Sequence, residues 1–291
     1  MFNVNVTTSP TFFSTPIMLK TSIAYFSPTH TSRNIARAVA KGYSKRIAKE
    51  LDATLTPLAP TEFAPTDLLI VSVPVYGSAV APIALKRLDQ LRGNNTPAVA
   101  IVLYGNRDFG HAPTQLADFL KERGFCVVGA AAYVGEHSYS TPERPIAAGR
   151  PNHSDLNEAL NFGLAIREKM EQHSEPLAVD CSQLKCPPSN WLSKLRFIAF
   201  VLSYRRRMKK HPVKIVPVTN EAVCTQCGAC ARICPTGAIS ADSLTETDAS
   251  KCIKCAACVK GCPQHARKLN TPFAAPLARN FKQPKPNVSL I

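Results

Sequence analysis

Eight cysteines fall into two runs of identical spacing. Cys224, Cys227, Cys230 and Cys234 are followed by Pro235, and Cys252, Cys255, Cys258 and Cys262 by Pro263. Each run reads C-x-x-C-x-x-C-x-x-x-C-P. The two-residue gaps let three thiolates converge on one face of a cubic iron–sulfur cluster, while the fourth points away and reaches the other cluster. The expected ligand sets therefore cross over: Cys224, Cys227, Cys230 and Cys262 for one 4Fe-4S cluster, and Cys252, Cys255, Cys258 and Cys234 for the second. Gly228, Ala229, Ala256 and Ala257 are small enough to let backbone N–H groups approach the sulfides and tune the potential. Two four-cysteine zinc sites are the competing reading, because C-x-x-C also suits Zn²⁺. Two complete copies, each with its proline, favour the clusters. Chemistry of this kind moves single electrons.

These cysteines occupy the last quarter of a 291-residue chain. Residues 221–270 resemble a bacterial dicluster ferredoxin, and the match holds at every ligand position. Cys126, Cys181 and Cys186 stand apart. Cys126 reads as a small core hydrophobe, and the other two as free thiols in a connector. Eleven cysteines in a long chain whose residues 1–17 lack the basic start and apolar run of a secretory signal point to metal chemistry in a reducing compartment, the cytoplasm.

From Thr21 to about Gln172 apolar β-type runs alternate with helix-period stretches, the pattern of βαβ units around a parallel sheet. Strands are expected at 21–26, 53–57, 68–74, 98–104 and 126–133, with helices near 32–51, 81–91, 112–123 and 153–172. Five such strands suit a flavodoxin-like doubly wound parallel sheet, followed by a small α+β dicluster ferredoxin domain. No G-x-G-x-x-G occurs, so a nicotinamide-dinucleotide site is unsupported.

Three loops at the strands' C-terminal ends carry candidate ligand groups. Ser27, Thr29, Thr31 and Ser32 precede or open the first helix, where hydroxyls and backbone N–H groups cradle a phosphate or simply cap the helix. In the second and third loops, Tyr76 and Gly77, then Tyr104, Gly105 and Asn106, could flank a flavin ring: the tyrosines by stacking, the glycines by close approach, Asn106 by donating to a ring oxygen. Residues 21–172 resemble the flavodoxin superfamily. The whole chain resembles proteins that fuse such a domain to a dicluster ferredoxin, which implies FMN, with its phosphate on Ser27, Thr29, Thr31 and Ser32. His30 stands where glycine is common in that loop. The polar loop 135–150, with Glu136, His137, Ser138, Tyr139 and Arg144, covers a cofactor edge or is simply solvated.

The expected division is a loose N-terminal extension over 1–20, with Met18 as a possible alternative start, a flavodoxin-like domain over 21–173, a linker over 174–220, the ferredoxin domain over 221–270 and a Pro-rich, extended or disordered tail over 271–291. Between Trp191 and Lys214 stand eight Lys or Arg and no acid, with Trp191, Leu195, Ile198 and Leu202 at helical spacing. That helix is expected to pack by this face on a domain; an anionic membrane surface is the second reading, and nucleic acid the weakest. The formal net charge of +15 fits an acidic redox partner. No stretch has the roughly 20 apolar residues of a membrane span.

The function expected from these features is electron transfer between FMN and two 4Fe-4S clusters within one chain. The alternatives are a flavin-dependent reductase fed by the clusters, and a ferredoxin carried on a flavin-free docking scaffold.

Overall fold

A computed structural model describes residues 19–173 and 175–291. Most of the loose N-terminal extension, Met18 included, lies outside the described residues.

The strands form where β-branched and small apolar residues run without interruption: β1 (Lys20–Tyr25), β4 (Asp67–Tyr76), β7 (Thr96–Tyr104) and β8 (Phe125–Val134) are almost wholly buried. With β2 (Lys49–Asp52) they give five parallel strands in the order β2-β1-β4-β7-β8, the flavodoxin arrangement. Helices α1 (Thr31–Tyr43) and α4 (His153–Gln172) cover one face with Ile35, Val39, Phe162 and Ile166. Helices α2 (Pro82–Leu88) and α3 (Ala112–Lys121) cover the other with Leu88, Leu116 and Leu120. Gly42 and Gly163 let α1 and α4 touch: a Cβ on Gly42 would lie 1.9 Å from the Leu160 carbonyl oxygen.

Four expectations change. The sheet is mixed and seven-stranded, because β11 (Val288–Leu290) adds antiparallel to β8 and the short β5 (Ala79–Val80) folds back on β4. The second strand lies at 49–52, not 53–57: as a solvated edge strand it pairs through its backbone and needs no apolar run. The first helix stops at Tyr43, well before 51, because Ser44 is extended and the chain turns into that strand. A small separate pair, β3 (Thr61–Phe63) and β6 (Leu91–Gly93), was not expected.

The linker carries α5 (Trp191–Lys210). It is docked by Phe197, Phe200, Val201 and Tyr204, not by the stripe expected to be buried. Their partners are Ile146 and the tail helix α8 (Ala274–Asn280), through Phe273, Leu277 and Phe281. The dicluster segment adds β9 (Val218–Thr219), α6 (Ala229–Arg232), α7 (Ala257–Lys260) and β10 (Arg267–Lys268), with β9 and β10 antiparallel.

The Pro-rich tail is ordered, not extended or disordered. Asn287 accepts from the Val134 N–H at 2.9 Å and donates to Asp155 at 2.8 Å and Glu158 at 2.7 Å. The Lys285 ammonium donates to the Arg107 and Pro187 carbonyls at 2.7 and 2.8 Å. These are contacts across 98 residues or more, and no local periodicity announces them.

Candidate redox centre

The cysteine runs fold into two copies of one backbone path. Gln226 and Lys254, Gly228 and Ala256, and Gly237 and His265 are the matched positions, and all six have positive φ, from 49° to 71°. Only two are glycine, so the other four hold a conformation that costs roughly 1–2 kcal/mol each. Such a path turns successive N–H groups inward, the concavity that suits sulfide and thiolate. The same symmetry recurs at the fourth cysteines: Ala238 donates its N–H to Cys234 Sγ at 3.2 Å and Ala266 to Cys262 Sγ at 3.3 Å.

The eight sulfurs surround two cavities. Cys224, Cys227, Cys230 and Cys262 line one, and Cys234, Cys252, Cys255 and Cys258 the other. Each cavity thus takes three cysteines from one run and the fourth from the other. Among the described residues no three Cys, His, Asp or Glu stand close enough to share a single ion. The sulfurs ring a space instead of meeting at a point, and this donor set fits a cluster whose own atoms fill the middle.

The two cavities differ in exposure. Cys227 is exposed, and the Ala229 N–H draws its thiol down. Cys255 and Cys258 are buried, and burial pushes their thiols up to about 12 and about 11. Buried thiolates this costly form only where a cation compensates them, as iron would.

Arg267, absent from the sequence reading, lies between the two sets. It is 2% exposed, and its guanidinium donates to Cys230 Sγ at 3.9 Å, to the Leu244 carbonyl at 2.8 Å and to Thr247 Oγ1. It also helps draw down the Cys258 thiol, against the larger effect of burial. The apolar-flanked strand Arg267–Lys268 is the only local hint that this arginine points inward.

The inner cavity abuts the C-terminal edge of the sheet. Ile253 packs into the core there, and Arg87, buried on α2, donates to the Ala53, Thr54 and Pro235 carbonyls and so ties the loop after β2 to the residue that follows Cys234. Lys260 pairs with Glu136 at 2.9 Å. Burial alone would raise the Glu136 carboxyl, but the Lys260 bond and charge and the Gly149 N–H hold it below its usual range. Tyr76 and Tyr139 are both pushed up, first by burial and then by the neighbouring Cys255 and Cys252 respectively.

At the first loop, Ser27 is buried, its Oγ accepting from the Arg33 N–H at 3.1 Å and its N–H donating to Thr54 Oγ1 at 2.9 Å. Thr29 and Thr31 are half-buried beside it. His30, the N-cap of α1, takes the left-handed conformation that glycine usually supplies, with φ 65°, and its side chain makes no capping bond, so Ser27 Oγ takes the Arg33 N–H of the first turn. Ser32 Oγ is buried without a partner. A helix start with an orphan hydroxyl in its first turn fits a phosphate.

The ring side departs from expectation. Tyr104 is 2% exposed and packs edge-on against Phe109 at 5.2 Å, so it is a core residue that cannot stack on a flavin. Asn106 is spent on the tail, donating to the Phe281 and Gln283 carbonyls at 2.7 and 2.8 Å and accepting from the Lys285 N–H at 2.9 Å. Gly105 is covered by His137, whose Cδ2 lies 2.2 Å from where a Cβ would be. Gly77, at φ 63°, leaves open space, and Tyr76 is half-buried. The two loops are joined by Arg107 donating to Ser78 Oγ at 2.7 Å.

A family model described as the 4Fe-4S dicluster domain matches residues 214–267. The chain fuses a flavodoxin-like fold to a 4Fe-4S dicluster domain. No curated protein matches it in sequence. Among solved structures it is similar to a flavodoxin from the domain Archaea, at 17% identity, covering 53% of this chain and 100% of that one, with a TM-score of 0.35. It is also similar to rubredoxin:oxygen oxidoreductase from the anaerobe Desulfovibrio gigas, at 18% identity over 53% of this chain and 36% of that one, TM-score 0.36. A short-chain flavodoxin associated with a non-canonical PDU bacterial microcompartment gives 12%, 53% and 99%, TM-score 0.38. The strand order, not these likenesses, carries the fold.

Proposed function

We propose that this chain is an electron-transfer protein in which Cys224, Cys227, Cys230 and Cys262 hold an outer 4Fe-4S cluster and Cys234, Cys252, Cys255 and Cys258 an inner one. The observation that carries this reading is the pair of cavities, each ringed by three cysteines of one run and the fourth of the other. Such clusters accept and release one electron each. The exposed side at Cys227 is where a redox partner would approach, and the other side meets the sheet edge through Ile253.

The flavodoxin-like domain is the candidate flavin carrier. Ser27, Thr29, Thr31 and Ser32 would hold the FMN phosphate, supported by their place at the start of α1 and by the orphan Ser32 hydroxyl. Tyr76 and Gly77 remain available to its ring; Tyr104 and Asn106 do not. His137 and Arg107, which would line an open catalytic face in a reductase, are committed to Gly105 and Ser78, and this favours a carrier.

The test of the flavin is acid release of FMN from protein incubated with excess FMN and desalted, beside Ser32→Asp. About one FMN per chain, lost in the variant, supports the site. Iron and sulfide without flavin in either protein would leave a ferredoxin on a scaffold.

A further inference from the structure

Helix α5 is apolar on two faces. At 100° per residue, Phe197, Phe200, Val201 and Tyr204 lie on the side that packs against α8 and Ile146. Trp191, Leu195, Ile198 and Leu202 form a stripe about 60° wide and about 16 Å long on the opposite side. That stripe is bare: Trp191 is 65% exposed, Leu195 and Ile198 are each 53% exposed, and Leu202 is 50% exposed.

Cations border it. Lys194 and Arg205 fall on one flank, Arg206 and Lys210 on the other, and Lys209 continues its line. None of them makes an ion pair among the described residues. No acid occurs between Cys181 and Asn220 to oppose them. No described helix is long and apolar enough to cross a membrane.

We infer that α5 is a membrane-surface anchor that lies in the plane of an anionic bilayer, with Trp191, Leu195, Ile198 and Leu202 entering the headgroup–acyl boundary and the flanking Lys and Arg meeting lipid phosphates. The charge complementarity and the row of large apolar side chains fit this occupant. Lys and Arg stems lie along the apolar boundary while their heads stay in the polar layer. An acidic redox protein fits the face less well. Such a partner must reach the outer cluster, whose cavity is built by residues 219–230 and 262–267, while α5 packs on α8 and the loop carrying Ile146. The inner face of α5 holds it to the protein, so the anchor would seat the redox centres at the bilayer.

Trp191 is the only tryptophan, so its emission reports on this helix alone. The experiment adds anaerobically purified full-length holoprotein to vesicles of phosphatidylcholine, with or without phosphatidylglycerol. With the anionic vesicles, Trp191 emission shifts to the blue, brominated acyl chains quench it, and the protein co-sediments; with phosphatidylcholine alone none of the three occurs. Neutralising Arg205, Arg206 and Lys209 weakens binding on the order of 100-fold at low salt. Leu195→Gln with Ile198→Gln and Leu202→Gln weakens it by at least about tenfold, with the cluster absorbance unchanged because these side chains are exposed. Unchanged emission with every vesicle overturns the anchor. So does sedimentation without bromine quenching, which means adsorption by charge alone, and so does an acidic protein that shifts Trp191 emission where anionic vesicles do not.

Discussion

Removing the charge of Arg267 should lower the potentials of both clusters. Its guanidinium lies 3.9 Å from Cys230 Sγ and beside Cys258, one ligand from each set. Two unit charges about 4 Å apart interact by about 4 kcal/mol at an effective dielectric constant of about 20. An added electron spreads over a cluster, and water enters the vacated space, so about 1–2 kcal/mol of that survives. For a one-electron couple, 1.36 kcal/mol is about 59 mV, so Arg267→Gln should lower each potential by roughly 40–90 mV. Arg267→Lys, which keeps the charge but loses the fork to Leu244 and Thr247, should shift them by less than half as much. The assay is a redox titration of the anaerobic holoproteins followed by electron paramagnetic resonance. Potentials within about 10 mV of the native values in a fully assembled Arg267→Gln protein would refute the claim that this cation acts on the clusters.

Cys262→Ser should remove iron from the outer site and leave the inner one, halving the iron per chain, and Cys234→Ser should do the reverse; loss of the site on the mutated residue's own run would contradict the crossed sets. Asn106→Ala strands the Phe281 and Gln283 carbonyls and the Lys285 N–H, so it should cost about 3 kcal/mol in urea unfolding and open the tail to protease without altering FMN content. Flavin loss at native stability would return Asn106 to the flavin. Burial, with help from Lys260 and Arg107, pushes His137 down to about 4. The unfolded chain then binds the extra proton first, so stability should fall by up to about 3 kcal/mol as pH drops from about 6.5 to about 4, and His137→Gln should flatten that slope. An equal slope in the variant would assign the acid sensitivity elsewhere.

The cysteine runs were legible because their function is local: spacing alone sets which three thiolates share a face. The four buried strands were legible for the same reason, each being a continuous apolar run. Strand β2 was not, since Lys49, Glu50 and Asp52 form a polar edge held by its backbone and by the Tyr25 hydroxyl donating to Glu50. For α5 the sequence displays two apolar faces and no sign of which one the protein covers; the choice rests on Phe273, Leu277 and Phe281, about seventy residues or more away. A still longer separation, 175 to 179 residues, hid the role of Asn106. A loop asparagine with positive φ at a strand end suits a flavin and a tail clamp equally, and only the returning chain decides. Arg267 carried no motif, because its meaning comes from two cavities that exist only after both runs have folded.

The measurement that tests the central claim most directly is anaerobic quantification of iron and acid-labile sulfide in the purified chain, with zinc measured alongside. Two 4Fe-4S clusters predict about eight iron and about eight sulfide per chain. Stoichiometric zinc without sulfide would contradict the account.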